Sequence, residues 1–144
     1  MTPNFDLWSA EGFAIVEVDE ECKIPLFSGY RLRDRWPVLS GRLGEGTRGD
    51  FSYLGPGVLA CRRSSWAVLS DAEPSLRFEV ESLPIELDNA DEPYLALNVI
   101  NVRPCLDMEN SVVQYIPGTR RVMRVLAYRL VEKEISNALL FKVP

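Results

Sequence analysis

Apolar and polar residues alternate most cleanly in SLRFEVESLPIEL, with Leu76, Phe78 and Val80 on one side and Arg77, Glu79 and Glu81 on the other. A period of two marks a half-exposed strand, and Pro84 is expected to break it. GFAIVEV, from Gly12 to Val18, is rich in β-branched residues and predicts a strand that ends in a solvated turn at Asp19, Glu20 and Glu21. GVLAC, from Gly57 to Cys61, predicts a short buried strand. Ser64 or Ser65 can cap a helix that runs to about Asp71 and stops before Pro74, with Trp66, Val68 and Leu69 as its buried side. VVQYI and RRVMRVLAYRLV flank Pro117-Gly118-Thr119 and predict a hairpin, although the periodicity of the second arm also suits a helix. NALLFKVP predicts a last strand.

Between these elements lie two marked loops. IPLFSGYRLRDRWP is punctuated by Pro25, Gly29 and Pro37, so it predicts at most a short strand or a turn of helix. If that stretch is extended, Arg31, Arg33 and Arg35 share one face. SGRLGEGTRGD holds four glycines in eleven residues and predicts a flexible loop. Its glycines match neither the Walker spacing nor a dinucleotide fingerprint, so they do not form a known phosphate cradle. The sum is an α+β fold in a single domain, residues 1–144: a mainly antiparallel β-sheet with one short helix and long loops.

YLALNVINVRPCLDMENS, from Tyr94 to Ser111, needs a separate account. As a strand it places Leu95, Leu97, Val99 and Asn101 on one face and Ala96, Asn98, Ile100 and Val102 on the other. Both faces are mostly apolar, which predicts a central, covered strand. Its asparagines must then be hydrogen-bonded, because an unsatisfied buried amide costs about 1–3 kcal/mol. Asp107, Asn110 and Ser111 are residues that bond back to the backbone in turns.

Composition narrows the chemistry. With 47% apolar and 26% charged residues the chain has the make-up of a soluble globular domain. No apolar run is long enough to span a membrane. MTPNFDLWSAEG lacks the basic and apolar regions of a secretory signal, so the expected compartment is the cytoplasm. Cys22, Cys61 and Cys105 are odd in number and unpaired in spacing, which argues against a disulfide framework or a zinc site and for small buried hydrophobes. The chain has no histidine. That excludes Ser-His and Cys-His nucleophile pairs and removes the commonest general base and neutral metal ligand. No cofactor, metal or catalytic residue is expected.

The net charge of −5 argues against a nucleic-acid binder. The charge is nonetheless blocked. Residues 1–21 carry six acids and no base, residues 22–63 eight bases against three acids, residues 64–119 ten acids against two bases, and residues 120–144 six bases against two acids. Such blocks either face each other across the fold or form patches for a charged partner.

The order of several phrases resembles a known family. WP at Trp36-Pro37 is followed by GDF at Gly49 to Phe51, then by GVLACRRSSWAVLSD as strand, turn serine and short helix. LRFEVESLPIEL is similar to an E-F-x-P-V strand, YLALNVINVRPCLDMENS to a Y-x-x-L-N…D…D-x-x-x-S segment, and LLFKVP to an L-F-R-x strand. Together, over roughly Pro25 to Pro144, they resemble the eleventh numbered family of immunity proteins that accompany bacterial polymorphic toxins, formerly a domain of unknown function. The family continues with a further strand and helix, so the resemblance implies a member shortened at its C-terminus, or a fragment. It implies no catalytic residue, and it makes Asn98 and the Asp107-to-Ser111 turn part of the fold.

The resemblance implies a non-enzymatic antidote that binds and neutralises a cognate toxin protein. Acidic side chains suit the basic clefts of nucleic-acid-degrading toxins. The partner-binding candidates are Glu17, Asp19, Glu20 and Glu21, then Asp88, Asp91 and Glu92, and third Asp107 and Glu109; each run can also be a solvated face. Trp8, Trp36 and Tyr53 are candidate aromatic anchors. Two other readings stay open. An enzyme would need paired carboxylates in a pocket. A small-ligand or nucleic-acid binding module would use Arg31, Arg33, Arg35, Arg62 and Arg63, or Arg120, Arg121 and Arg124. Exposed β-edges can also pair two copies into a homodimer.

Overall fold

The structure is a computed structural model and describes residues 11–143. Its main body is one six-stranded sheet of β1 (Val16–Val18), β2 (Leu39–Leu43), β3 (Phe51–Gly55), β4 (Val58–Arg62), β5 (Val80–Leu87) and β6 (Tyr94–Val99), in the order β1-β2-β5-β6-β4-β3. Every pairing is antiparallel except β2 with β5. A ten-residue helix, α1 (Arg63–Ala72), and a one-turn helix, α2 (Leu76–Glu79), connect β4 to β5. The fold is therefore α+β with a mainly antiparallel sheet.

The two edge strands, β1 and β3, come into contact, so the sheet curls. The inner face of the curl holds the larger core, including Val16, Leu39, Leu43, Leu54, Leu83, Ile85 and Tyr94. Small residues let the backbones close in: Ala60 and Ala96 lie fully buried there, and a Cβ at Gly41 would run into the Glu17 carbonyl of the neighbouring strand. On the outer face, Trp66 of α1 packs with Cys61, Val80 and Leu97. As expected, β6 is central and covered on both faces. Cys61 and Cys105 are buried and Cys22 half-buried. Burial, with the charges of Asp50 and Glu92, pushes the Cys61 thiol up to about 12, which makes it unreactive.

Several local expectations are corrected. Leu76–Glu79 is a helical turn, not strand, because Pro74 opens successive turn bonds: Leu76 N–H to the Glu73 carbonyl and Arg77 N–H to the Pro74 carbonyl. Phe78 is consequently exposed. Strand β5 runs through Pro84 unbroken; pairing with β2 begins only at Ile85, so the missing N–H removes no bond from that side. Ser40–Leu43 of the glycine-rich stretch is not loop but most of interior strand β2. Helix α1 buries Trp66 and Ser70, while Val68 and Leu69 face out. Arg33–Arg35 form a 3-10 turn, so Arg31, Arg33 and Arg35 do not line up on one extended face. Among the described residues the NALLFKVP segment is not a strand; it makes one bridge, Lys142 to Val102.

The hairpin is β7 (Val112–Tyr115) and β8 (Val122–Ala127), a separate two-stranded sheet. The second arm is strand, not helix, because Gly118 at φ 75° turns the chain back on itself.

Candidate functional site

The amide nitrogens of the Tyr94–Ser111 stretch have structural partners, while the Asn98 Oδ1 is buried with none among the described residues. Asn98 points into the curl and donates from Nδ2 to the Tyr30 carbonyl (2.8 Å) and to Glu81 Oε2 (3.0 Å). Glu81 is only 3% exposed. Its carboxylate also accepts the Leu32 N–H (2.7 Å) and the Arg33 N–H (3.1 Å). Burial pushes this carboxyl up, but those three donors, with the Arg31 charge nearby, outweigh burial and hold it below the ordinary range. The pair thus pins the 30–33 segment onto the sheet. Asn101 is tied by Nδ2 to the Leu140 carbonyl and Glu79, and by Oδ1 to Arg103. The Asp107 carboxylate accepts the Asn110 side-chain amide and the backbone N–H groups of Glu109 and Asn110, which lowers its pKa. This is turn chemistry, as the residue types indicated.

The structure divides the nine acidic candidates among separate places. Val16 and Val18 face the core, so Glu17 and Asp19 face outward. Strand register sets Glu17 beside Arg42 (3.7 Å) and Asp19 beside Ser40, whose hydroxyl it accepts at 2.7 Å. Ser40 is in turn paired with exposed Glu86, and Asp88 follows at the end of β5, its N–H on the Gly41 carbonyl. Glu17, Asp19 and Asp88, with Glu86, thus border one exposed region of the sheet. Glu20 and Glu21 form the exposed turn after β1. Asp107 and Glu109 sit at the root of the hairpin, where the Asp107 N–H meets the Arg129 carbonyl.

Asp91, which is exposed, and Glu92, which is half-buried, share one arginine partner. Arg62 bridges them at 3.1 and 3.4 Å while its guanidinium lies 6.0 Å over the Tyr94 ring. Glu92 also accepts the Ser64 hydroxyl and the Ser64 N–H, and so caps the start of α1 in place of a serine. The Ser64 hydroxyl is the main cause of its lowered pKa. Glu92→Gln is expected to lower the thermal midpoint by a few degrees, with the loss visible in the helical circular dichroism signal. Because the folded pKa is depressed, Glu92 stabilises above the unfolded carboxyl value and the contribution fades as pH falls through the folded one. An unchanged midpoint at neutral pH would show that the cap is unimportant.

The basic candidates also separate. Arg31, Arg33 and Arg63 line a cleft across the outer face of β5 and β6, joined there by Arg77; Arg35 does not line it. Arg62 faces inward and is not available to a ligand. Arg120, Arg121 and Arg124 lie on the hairpin. Trp36 is half-buried, its Nε1 on the Pro84 carbonyl at 2.8 Å, and Tyr53 is half-buried in β3. Trp8 lies outside the described residues.

The hairpin follows from the sequence, but its exposure does not. Neither strand packs extensively on the six-stranded sheet. Val112, Tyr115, Ile116, Val122, Leu126 and Tyr128 are all between 41% and 56% exposed. A lone two-stranded hairpin is marginally stable in water, and apolar exposure of this extent marks an interaction surface.

Among the described residues, no group of three acidic, Cys or His side chains is placed to hold a metal ion, and no helix is long and apolar enough to cross a membrane. The chain matches no protein-family model, no curated protein and no solved structure.

Proposed function

We propose that this chain is a non-enzymatic, cytoplasmic immunity protein that binds and neutralises a cognate bacterial toxin domain. The observation that carries this reading is the β7–β8 hairpin, which presents apolar side chains that the other described residues leave 41–56% exposed, flanked by Arg120, Arg121 and Arg124. Apolar anchors with an arginine rim are the composition of protein-binding hot spots. The acidic border formed by Glu17, Asp19, Glu86 and Asp88 supports the reading as a steering surface for a basic partner. Asp91 and Glu92 are held by Arg62, which leaves Glu17, Asp19 and Asp88 as the acidic contacts.

The test is capture with the tagged chain from the bacterium of origin, followed by mass spectrometry and a growth assay. One stoichiometric protein is expected, with a domain that arrests growth when expressed alone and is silenced when this chain is co-expressed. Leu126→Asp combined with Tyr115→Asp is expected to weaken that complex about thirtyfold or more, while the circular dichroism spectrum stays unchanged. A captured partner that is harmless to the cell, or no captured partner at all, overturns the proposal.

A further inference from the structure

The cleft on the outer sheet face has the chemistry of a ligand site independent of the hairpin. It lies between the 3-10 turn at Arg33–Arg35 and α1, with β5 and β6 as its floor, and has a volume of about 770 Å³. That is within the range of sites for small organic molecules, about 300–1,000 Å³. Its apolar lining comes from Pro84 and from half-buried Trp36 and Leu95, with only the small exposed part of Trp66 reaching it. The Trp36 ring is held in orientation by its bond to the Pro84 carbonyl and by an edge-on contact with Phe27 at 5.9 Å.

Four guanidinium groups line the cleft, in a protein whose net charge is −5. Two carboxylates line it as well, and both are engaged. Asp71 pairs with Arg77 at 2.6 Å, and Glu81 is held by the Leu32 and Arg33 N–H groups. Arg33 reaches only the Ser82 carbonyl, at 3.4 Å. Arg31 and Arg63 make no ion pair or side-chain hydrogen bond among the described residues, and both are exposed. The cleft therefore combines an apolar side, led by Trp36, with forked donors that have no ion-pair partner among the described residues.

We propose that this cleft binds a small phosphorylated ligand with a planar ring, the chemistry of a nucleoside monophosphate. The ring lies against Trp36, and Arg31 and Arg63 take the phosphate. Arginine suits that role because its planar fork donates two parallel hydrogen bonds to phosphate oxygens. An apolar wall alone accepts any flat ring, and guanidinium groups alone accept any anion, so a ligand carrying both parts is the one favoured.

The test is calorimetric titration of the full chain with adenosine, guanosine, cytidine and uridine monophosphates. At least one is expected to bind, more weakly as salt rises. The matching nucleoside and inorganic phosphate are each expected to bind at least about tenfold more weakly, since each lacks one half of the recognition. Arg31→Gln and Arg63→Gln are each expected to weaken binding about tenfold; both residues are exposed, so the fold is retained. Four results overturn the proposal: no binding by any monophosphate, equal affinity for inorganic phosphate, affinity indifferent to both glutamine variants, or a short single-stranded oligonucleotide binding far more tightly than every monophosphate. The last would make the cleft a nucleic-acid groove.

Discussion

Replacing Asn98 with aspartate is expected to cost about 3–5 kcal/mol of stability at neutral pH, although the two side chains have nearly the same shape. Asn98 is fully buried, and its Nδ2 sits 3.0 Å from the Glu81 carboxylate. The substitution removes a donor from that carboxylate and from the Tyr30 carbonyl, and sets a second negative charge beside the first. No guanidinium or ammonium group forms an ion pair with Glu81 among the described residues. Two carboxylates at hydrogen-bond distance cannot both ionise cheaply, so one pKa of the pair must rise.

The sign of the pH dependence then inverts. In the natural protein the Glu81 carboxyl lies below its ordinary value of 4.5, so its contribution is present above that value and is lost as pH falls through the folded one. In Asn98→Asp the folded pair binds a proton that the unfolded chain releases, so stability rises as pH falls toward the ordinary carboxylate range near 4. Urea unfolding followed by circular dichroism at a series of pH values reads both slopes. A variant as stable as the natural protein at neutral pH, or one with the same slope, would sink this account of the pair.

Trp66→Ala is expected to destabilise the protein by about 3–5 kcal/mol. Helix α1 buries only Trp66 and Ser70, and its other large apolar residues, Val68 and Leu69, face solvent. One indole thus supplies most of the contact between α1 and the outer face of the sheet, against Cys61, Val80 and Leu97. Its removal leaves a cavity that those strand-anchored neighbours cannot collapse to fill. Val68→Ala serves as the control and is expected to change stability by less than about 0.5 kcal/mol, because Val68 is 70% exposed. Comparable losses for the two variants in urea unfolding would mean that α1 docks by another face.

The sequence by itself determined the class of fold and much of the local punctuation. Central strand β6, the α1 helix after Cys61, the turn at Pro117-Gly118-Thr119 and the Asp107 turn follow from local periodicity and from side chains that bond their own backbone. The absence of histidine is likewise a property of the chain, and no folding changes it. What local patterns misplaced were elements whose state depends on a distant partner. Ser40–Leu43 is strand because β1 and β5 pair with it on both sides, despite its glycine. Leu76–Glu79 is helical despite its alternation, because Pro74 sets the turn that precedes it.

The candidate surfaces were decided by tertiary structure alone. Charge runs look alike in sequence whether they meet water or an internal partner. Only the register that carries Arg62 to Asp91 and Glu92 gives those two acids a partner within the molecule, although Asp91 itself stays exposed. Arg77, forty-four or more residues from Arg31 and Arg33 in the chain, reaches their cleft only because β5 returns beside the segment that Glu81 holds in place. Whether an apolar hairpin is core or surface depends on what folds over it, and here no element of the main sheet does so extensively. Periodicity records the short-range preferences of the backbone, whereas burial and charge pairing are set by residues far apart in sequence, and these only the fold brings together.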